Sequence, residues 1–169
     1  ANTNTANPPY QAVQLGFGST FTTPVAVAGD WSGAGVDGVG LFDQSNGLFN
    51  LCNSDSSSPT ANESLVLGNP NDQPLAGHWL STAPTFGVGV FRPSNGLIYL
   101  KNALTTGFAD YTMVLGIPGD QGLAGDWDGD SVDSPGVYRP SNATFYLSNQ
   151  VCNCAVFGDY QLQLGYANG

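Results

Sequence analysis

The residues best suited to chemistry lie in one short stretch, Gly125-Asp126-Trp127-Asp128-Gly129-Asp130-Ser131-Val132-Asp133. Asp126, Asp128, Asp130 and Asp133 sit at offsets 0, 2, 4 and 7, so alternate side chains of a tight loop converge on one point. Four carboxylates and a bend at Gly129 suit an oxygen-seeking ion such as Ca2+, whereas Mg2+ demands stricter geometry. Without an ion the same residues make Asx turns, in which carboxylates accept backbone N–H groups. Other reactive side chains are sparse. Cys52, Cys152 and Cys154 are the only cysteines, Arg92 and Arg139 the only arginines, and His78 the only histidine. None stands in a recognisable nucleophile motif, and carboxylate pairs occur only in turn loops. The sequence therefore predicts no catalytic residue and no enzyme.

The acidic stretch is the strongest of three copies. Gly29-Asp30-Trp31, Gly77-His78-Trp79 and Gly125-Asp126-Trp127 each begin 48 residues after the copy before. A period in this range, held three times, marks a repeat architecture. The four ligand positions read Asp30, Ser32, Ala34 and Asp37 in the first copy, and His78, Leu80, Thr82 and Thr85 in the second. Ca2+ is accordingly expected in the third repeat only.

Positioning these loops requires strands. Each unit offers four strand-like runs, bounded by the Gly, Asn, Pro and Ser of tight turns. Run A ends in Leu-Gly (10–16, 63–68, 110–116), and run B leads into the tryptophan (25–31, 75–79, 123–127). Run C is rich in Gly and Val (36–42, 86–91, 136–138), the last shortened by Pro135, and run D follows a turn (48–51, 97–100, 144–147). The C-to-D turns contain Ser45-Asn46-Gly47, Ser94-Asn95-Gly96 and Ser141-Asn142-Ala143. Asn-Gly is a strong hairpin signal, so C and D pair antiparallel. In Phe86-Gly87-Val88-Gly89-Val90-Phe91 the glycines fall on one strand face, which places run C where another backbone approaches, at the centre of the assembly. A further A-type run follows at 159–165, giving four A runs against three each of B, C and D.

The expected fold is all-β: three repeats of four antiparallel strands, either pseudo-threefold or an open arc, plus one extra strand. Residues 1–9 read as an extended polar arm. Residues 10–169 read as a single domain with units at about 10–61, 62–109 and 110–158 and the extra strand at 159–165. If each sheet is A-B-C-D the last A run is spare; if each is B-C-D plus the next A, the first is spare.

The succession Gly-Asp-Trp-Asp-Gly-Asp, a later Asp, then Gly136-Val137-Tyr138-Arg139-Pro140-Ser141-Asn142 resembles the FG-GAP and VCBS-type repeats of extracellular bacterial proteins, related to integrin-type β-propeller blades. The resemblance covers about residues 10–165. It implies propeller-like four-stranded blades, a calcium loop between neighbouring strands, and roles in cell adhesion, matrix or sugar binding. The acidic spacing is one residue shorter than is usual in those repeats, and three units are too few for an ordinary closed ring.

Arg92 and Arg139 occupy equivalent positions, and each is expected to pair with a carboxylate bidentately. The recurring Trp31, Trp79 and Trp127 are expected in the core. A bridge from Cys52 to Cys152 or Cys154 would join two units, with free or intermolecular thiols as the alternative, since a Cys152–Cys154 bridge would be strained. Asn62 and Asn142 head glycosylation sequons.

Thirteen acids face three bases, a net charge of -10, which makes nucleic acid and anionic membranes poor partners. No apolar run is long enough to span a bilayer, so membrane insertion is not expected. Scarce Lys, abundant Asn, Ser and Thr, and a start without signal-peptide character suit a mature secreted chain, extracellular or at a cell surface. The surplus A run suggests a self-assembling filament or surface-fibre subunit, a homo-oligomer joined by strand or arm exchange. Tyr10, Val13, Leu15, Tyr160, Leu162 and Leu164 are the residues offered for that contact. The alternative is a calcium-dependent carbohydrate-binding adhesin module, with glycans bound at the D-to-A loops.

Overall fold

The computed structural model describes residues 21–53 and 61–165, and among these it contains twelve strands and no helix. The first sheet joins β1 (Pro24–Gly29), β2 (Gly38–Asp43), β3 (Leu48–Cys52) and β4 (Glu63–Val66) in that order. The second joins β5 (Gln73–Gly77), β6 (Gly87–Arg92), β7 (Leu97–Lys101) and β8 (Tyr111–Val114). The third joins β9 (Gln121–Gly125), β10 (Ser134–Arg139), β11 (Thr144–Leu147) and β12 (Tyr160–Gln163). Every neighbouring pair is antiparallel.

Each sheet is thus B-C-D plus the A run of the following unit. The run at 159–165 is not an extra strand, because β12 pairs with β11 as the fourth strand of the third sheet. The surplus run is the one at 10–16, which with the arm at 1–9 lies outside the described residues.

The C-to-D hairpins form as expected. Asp43 C=O accepts from both Asn46 N–H (3.2 Å) and Gly47 N–H (2.9 Å), and Arg92 C=O accepts in the same way from Asn95 and Gly96. Only the glycines take positive φ, +77° and +74°, while the Asn46 and Asn95 side-chain oxygens accept from Leu48 and Leu97 N–H. The loop has four residues, 44–47 in the first unit and 93–96 in the second. In the third unit Ala143 takes the left-handed position, at φ +52°.

Pro135 does not shorten run C. It lies inside β10, opposite Ala124, and its carbonyl accepts from Ser148 N–H at 3.1 Å. Proline has no N–H to return, so the buried Ser148 carbonyl accepts from the Ser134 hydroxyl instead. A neighbouring side chain thereby replaces the missing ladder bond.

Side chains alternate across each strand, giving every sheet two apolar faces. Trp31, Phe42, Phe49, Leu51 and Leu65 of the first sheet pack against Val88 and Val90 of the second. Trp79, Phe91, Ile98, Leu100 and Met113 of the second sheet pack against Val137 of the third. Fully burying side chains of this size stabilises the fold by about 1.5–3 kcal/mol each.

The strands at the common centre are the B runs, not the C runs. β1 packs beside β5 and β5 beside β9, with no comparable seam between β1 and β9. All three line a cavity of about 280 Å3 through small residues such as Ala26, Ala28, Ala76, Gly122 and Ala124. The C-run glycines serve contacts within their own sheet: a Cβ on Gly87 would overlap the Lys101 carbonyl, and one on Gly89 would press on Leu100. The three sheets therefore form an open arc of blades.

Candidate functional site

The third-unit loop brings Asp126, Asp128 and Asp130 together, with one oxygen from each lying within 4.8 Å of the others. All three are exposed. Asp126 also organises its loop: its Oδ1 accepts from Gly129 and Asp130 N–H (2.7 and 3.1 Å), and its Oδ2 accepts from Ser131 N–H (3.0 Å). Burial raises the Asp126 pKa, but the amides of Ser131, Gly129 and Asp130 outweigh it and hold the carboxyl below its usual range. Asp30 makes the same Asx turn in the first unit, accepting from Ala34 and Gly35 N–H. The amide-capping role is therefore present, and three carboxylates remain clustered for a cation.

Asp133 is not in that cluster. Its Oδ2 accepts from His78 N–H (2.7 Å), and its own N–H donates to His78 C=O (2.9 Å), bridging the second and third units. Phe86, the matching residue one unit earlier, donates N–H to Asp30 C=O at 2.9 Å. His78 is thus part of a seam. Its Nδ1 lies 3.0 Å from Ser131 C=O and its Nε2 2.8 Å from Ala83 C=O, while its ring stacks on Phe86. Both nitrogens facing carbonyls favours the imidazolium, so these two hydrogen bonds push the pKa up.

Both arginines form the expected bidentate pairs. Arg92 donates through Nε and Nη2 to Asp72 (2.9 and 2.8 Å), and Arg139 donates likewise to Asp120 (3.0 and 2.9 Å). Each guanidinium also lies over a tyrosine ring, Tyr99 at 4.5 Å and Tyr146 at 4.4 Å. Both carboxylates are buried, at 1% and 2% exposed, so these are structural clamps. Sequence reasoning missed Asp72 and Asp120, although Asp72-Gln73 and Asp120-Gln121 recur at the repeat interval. In the first unit Asp43 takes the arginine position, and its buried carboxylate accepts from Ser45, Thr22 and Thr23 N–H. Burial raises its pKa, but these bonds outweigh it and hold the carboxylate ionised.

The disulfide joins Cys152 to Cys154, with Cα atoms 5.4 Å apart, and not Cys52 to either. Location explains this. Cys52 is buried at the end of β3, in the first sheet, where burial pushes its thiol pKa up. The bridged segment instead lies along the outer edge of β8 in the second sheet. Val114 N–H donates to Cys154 C=O (3.0 Å), Val156 N–H to Val114 C=O (2.9 Å), and Thr112 N–H to Asn153 Oδ1 (2.8 Å).

That contact is one of two alike: the D-to-A loops of the second and third units each cover the outer edge of the sheet before them. Thr106, in the second such loop, accepts from Val66 N–H on β4 at 3.0 Å. Among the described residues no following loop covers β12. Leu65 and Met113 are 1% and 0% exposed, whereas the matching Leu162 is 48% exposed. Leu67 is 5% exposed and its counterpart Leu164 65%. Tyr160, Leu162 and Leu164 are thus laid bare together, while Tyr10, Val13 and Leu15 lie outside the described residues.

A separate cavity of about 430 Å3 lies beside the second D-to-A loop, lined by Asn69, Arg92, Tyr99, Thr106 and Phe108. Phe108 is 96% exposed, as is Phe157 at 91% in the next such loop. Of the sequon asparagines, Asn62 is exposed and its Oδ1 accepts from Asn53 N–H. Asn142 is half-buried, and its amide nitrogen donates to the Tyr146 hydroxyl at 2.9 Å. Compared with protein-family models, with curated proteins and with solved structures, the chain matches none.

Proposed function

We propose that this chain is a non-enzymatic, extracellular structural protein of the FG-GAP and VCBS-type repeat class, whose copies assemble into a filament or surface fibre. The observation that carries this reading is the bare β12 edge, where Leu162 stands exposed at a position both other sheets bury and Leu164 at one the first sheet buries. Uncovered strand edges of this kind recruit further strands. The run at 10–16 has the same pattern as 159–165, Val13 and Leu15 matching Leu162 and Leu164. One copy's run is the strand offered to the third sheet of the next. A bridged Cys152–Cys154 pair suits an oxidising compartment. In this reading Asp126, Asp128 and Asp130 hold Ca2+ as a loop-stiffening ion. The test is sedimentation and electron microscopy of the purified chain beside a variant lacking residues 1–16. Large assemblies that the deletion abolishes support the reading, and a unmodified chain that stays monomeric at high concentration overturns it.

A second reading, a carbohydrate-binding adhesin module, is favoured by Phe108 alone. A fully exposed ring beside a polar-rimmed cavity suits stacking of a sugar face. Glycan-array binding that Phe108→Ala removes supports it, and no binding with or without chelator counts against it.

A further inference from the structure

The two ends of the arc carry counterparts of the two faces that meet at the seams inside the chain. Inside the chain the same face-to-face seam occurs twice, first sheet on second and second on third. In each, a face of large side chains (Trp79, Phe91 and Ile98, for example) is covered by the next sheet's smaller face, such as Val137 and Ala124. The third sheet presents the face of large side chains again, through Trp127, Tyr138 and Phe145, with the last two rings 4.7 Å apart. Trp31 and Trp79 are each 2% exposed, but Trp127 is only half-buried, as are Tyr138 and Phe145. The first sheet presents the complementary face, through Val39 and Leu41. These are half-buried where the matching Val88 and Val90 are fully buried.

The hydrogen-bonding strut of the seam is also left in two halves. Asp133 and Phe86 donate N–H across the internal seams to the residue before each tryptophan, His78 and Asp30. The repeat places Asp37 at the donor position of the first unit and Asp126 at the acceptor position of the third. Among the described residues neither backbone group has such a partner.

We infer that a second copy of this chain seats the Val39 and Leu41 face of its first sheet on the Trp127, Tyr138 and Phe145 face of the third sheet, head to tail. Asp37 N–H then donates to Asp126 C=O across the boundary. The inference rests on the self-assembly reading above and names a contact distinct from strand exchange. It continues an interface the chain already builds twice, so it needs no new geometry. Because the two faces differ, the contact is heterologous, and the rotation each copy adds decides between a closed ring and an open filament.

The test uses two full-length variants, Leu41→Glu to block the head and Phe145→Glu to block the tail, each checked for native far-UV circular dichroism. Val39→Glu and Tyr138→Glu serve where either fails that check. Burying an unpaired carboxylate in an apolar seam is costly, so each variant alone should need at least about 100-fold more protein to associate. Mixed in equal amounts, they should form a 1:1 complex that grows no further, since one sound head meets one sound tail. If both variants assemble like the unmodified chain, the inference falls while strand-exchange assembly stands. A tail variant that dissociates while the head variant still pairs would mean a like-with-like contact, which also overturns it. An unmodified chain that is monomeric at high concentration removes both readings.

Discussion

Replacing Ser134 by alanine removes one hydroxyl and leaves a buried carbonyl without a donor. N–H and C=O of a strand residue point to the same neighbour, so the Pro135 nitrogen faces Ser148 together with its carbonyl. In the first two sheets the matching register pairs are Val39 with Cys52 and Val88 with Lys101, and valine carries the N–H that proline lacks. Ser134 and Ser148 are 4% and 0% exposed, so water does not replace the lost donor. An orphaned buried acceptor costs about 1–3 kcal/mol. For a domain of this size that is a fall in Tm of about 2–12 °C. The assay is urea and thermal unfolding by tryptophan fluorescence and circular dichroism, run as a cycle with Pro135→Val. Valine at 135 restores the backbone donor, so Ser134→Ala should cost little in that background. A cost below about 0.5 kcal/mol in the proline background, or an equal cost in both, would refute the substitution of hydroxyl for ladder bond.

Four further outcomes are expected. His78 has a raised pKa in the folded protein, so its contribution to stability is complete below pH of about 6.5 and is lost as pH rises through the folded pKa; NMR titration of the single histidine against urea stability at each pH checks this. Gly96→Ala should cost more than Gly47→Ala although their φ angles are alike, because a Cβ at 96 overlaps the Gly116 carbonyl while one at 47 meets the Leu67 and Gly68 carbonyl oxygens only at 3.0 Å; the excess, on the order of 1–3 kcal/mol, is read from paired urea midpoints. Arg139→Met strands the buried Asp120 carboxylate and should destabilise by about 3–5 kcal/mol, most of it recovered in an Asp120→Leu double variant. Terbium luminescence sensitised through Trp127 should report an ion at the acidic loop, with Asp128→Asn weakening it about tenfold or more and Asp133→Asn, which bonds elsewhere, changing it far less.

The period, the strands and the core tryptophans were legible because each rests on local chemistry repeated in register. Trp31 and Trp79 are buried as their recurrence implies. What escaped depends on which distant edges meet. The two ways of dividing the runs among sheets predict the same local pattern, and only the pairings of each D strand with the following A run, β3–β4, β7–β8 and β11–β12, separate them. The glycines of run C imply a central strand. Their close neighbours turn out to be the adjacent strand and the tryptophan of the same sheet, while alanines of run B line the axis. Asp133 fits a metal spacing as well as Asp130 does, but a backbone amide from the preceding unit claims it. Cysteine pairing failed for a similar reason, because spacing along the chain carries no information about which sheet the 151–156 segment lies against.

The offset between repeat unit and sheet, B-C-D plus the next A, bears on how such chains change length. Excising or duplicating one 48-residue period, wherever the cut falls between β1 and β12, removes or adds a whole sheet and leaves every survivor with four strands. Gene rearrangement can therefore lengthen or shorten the array without creating a half-built blade, so size is free to drift while the termini keep their character.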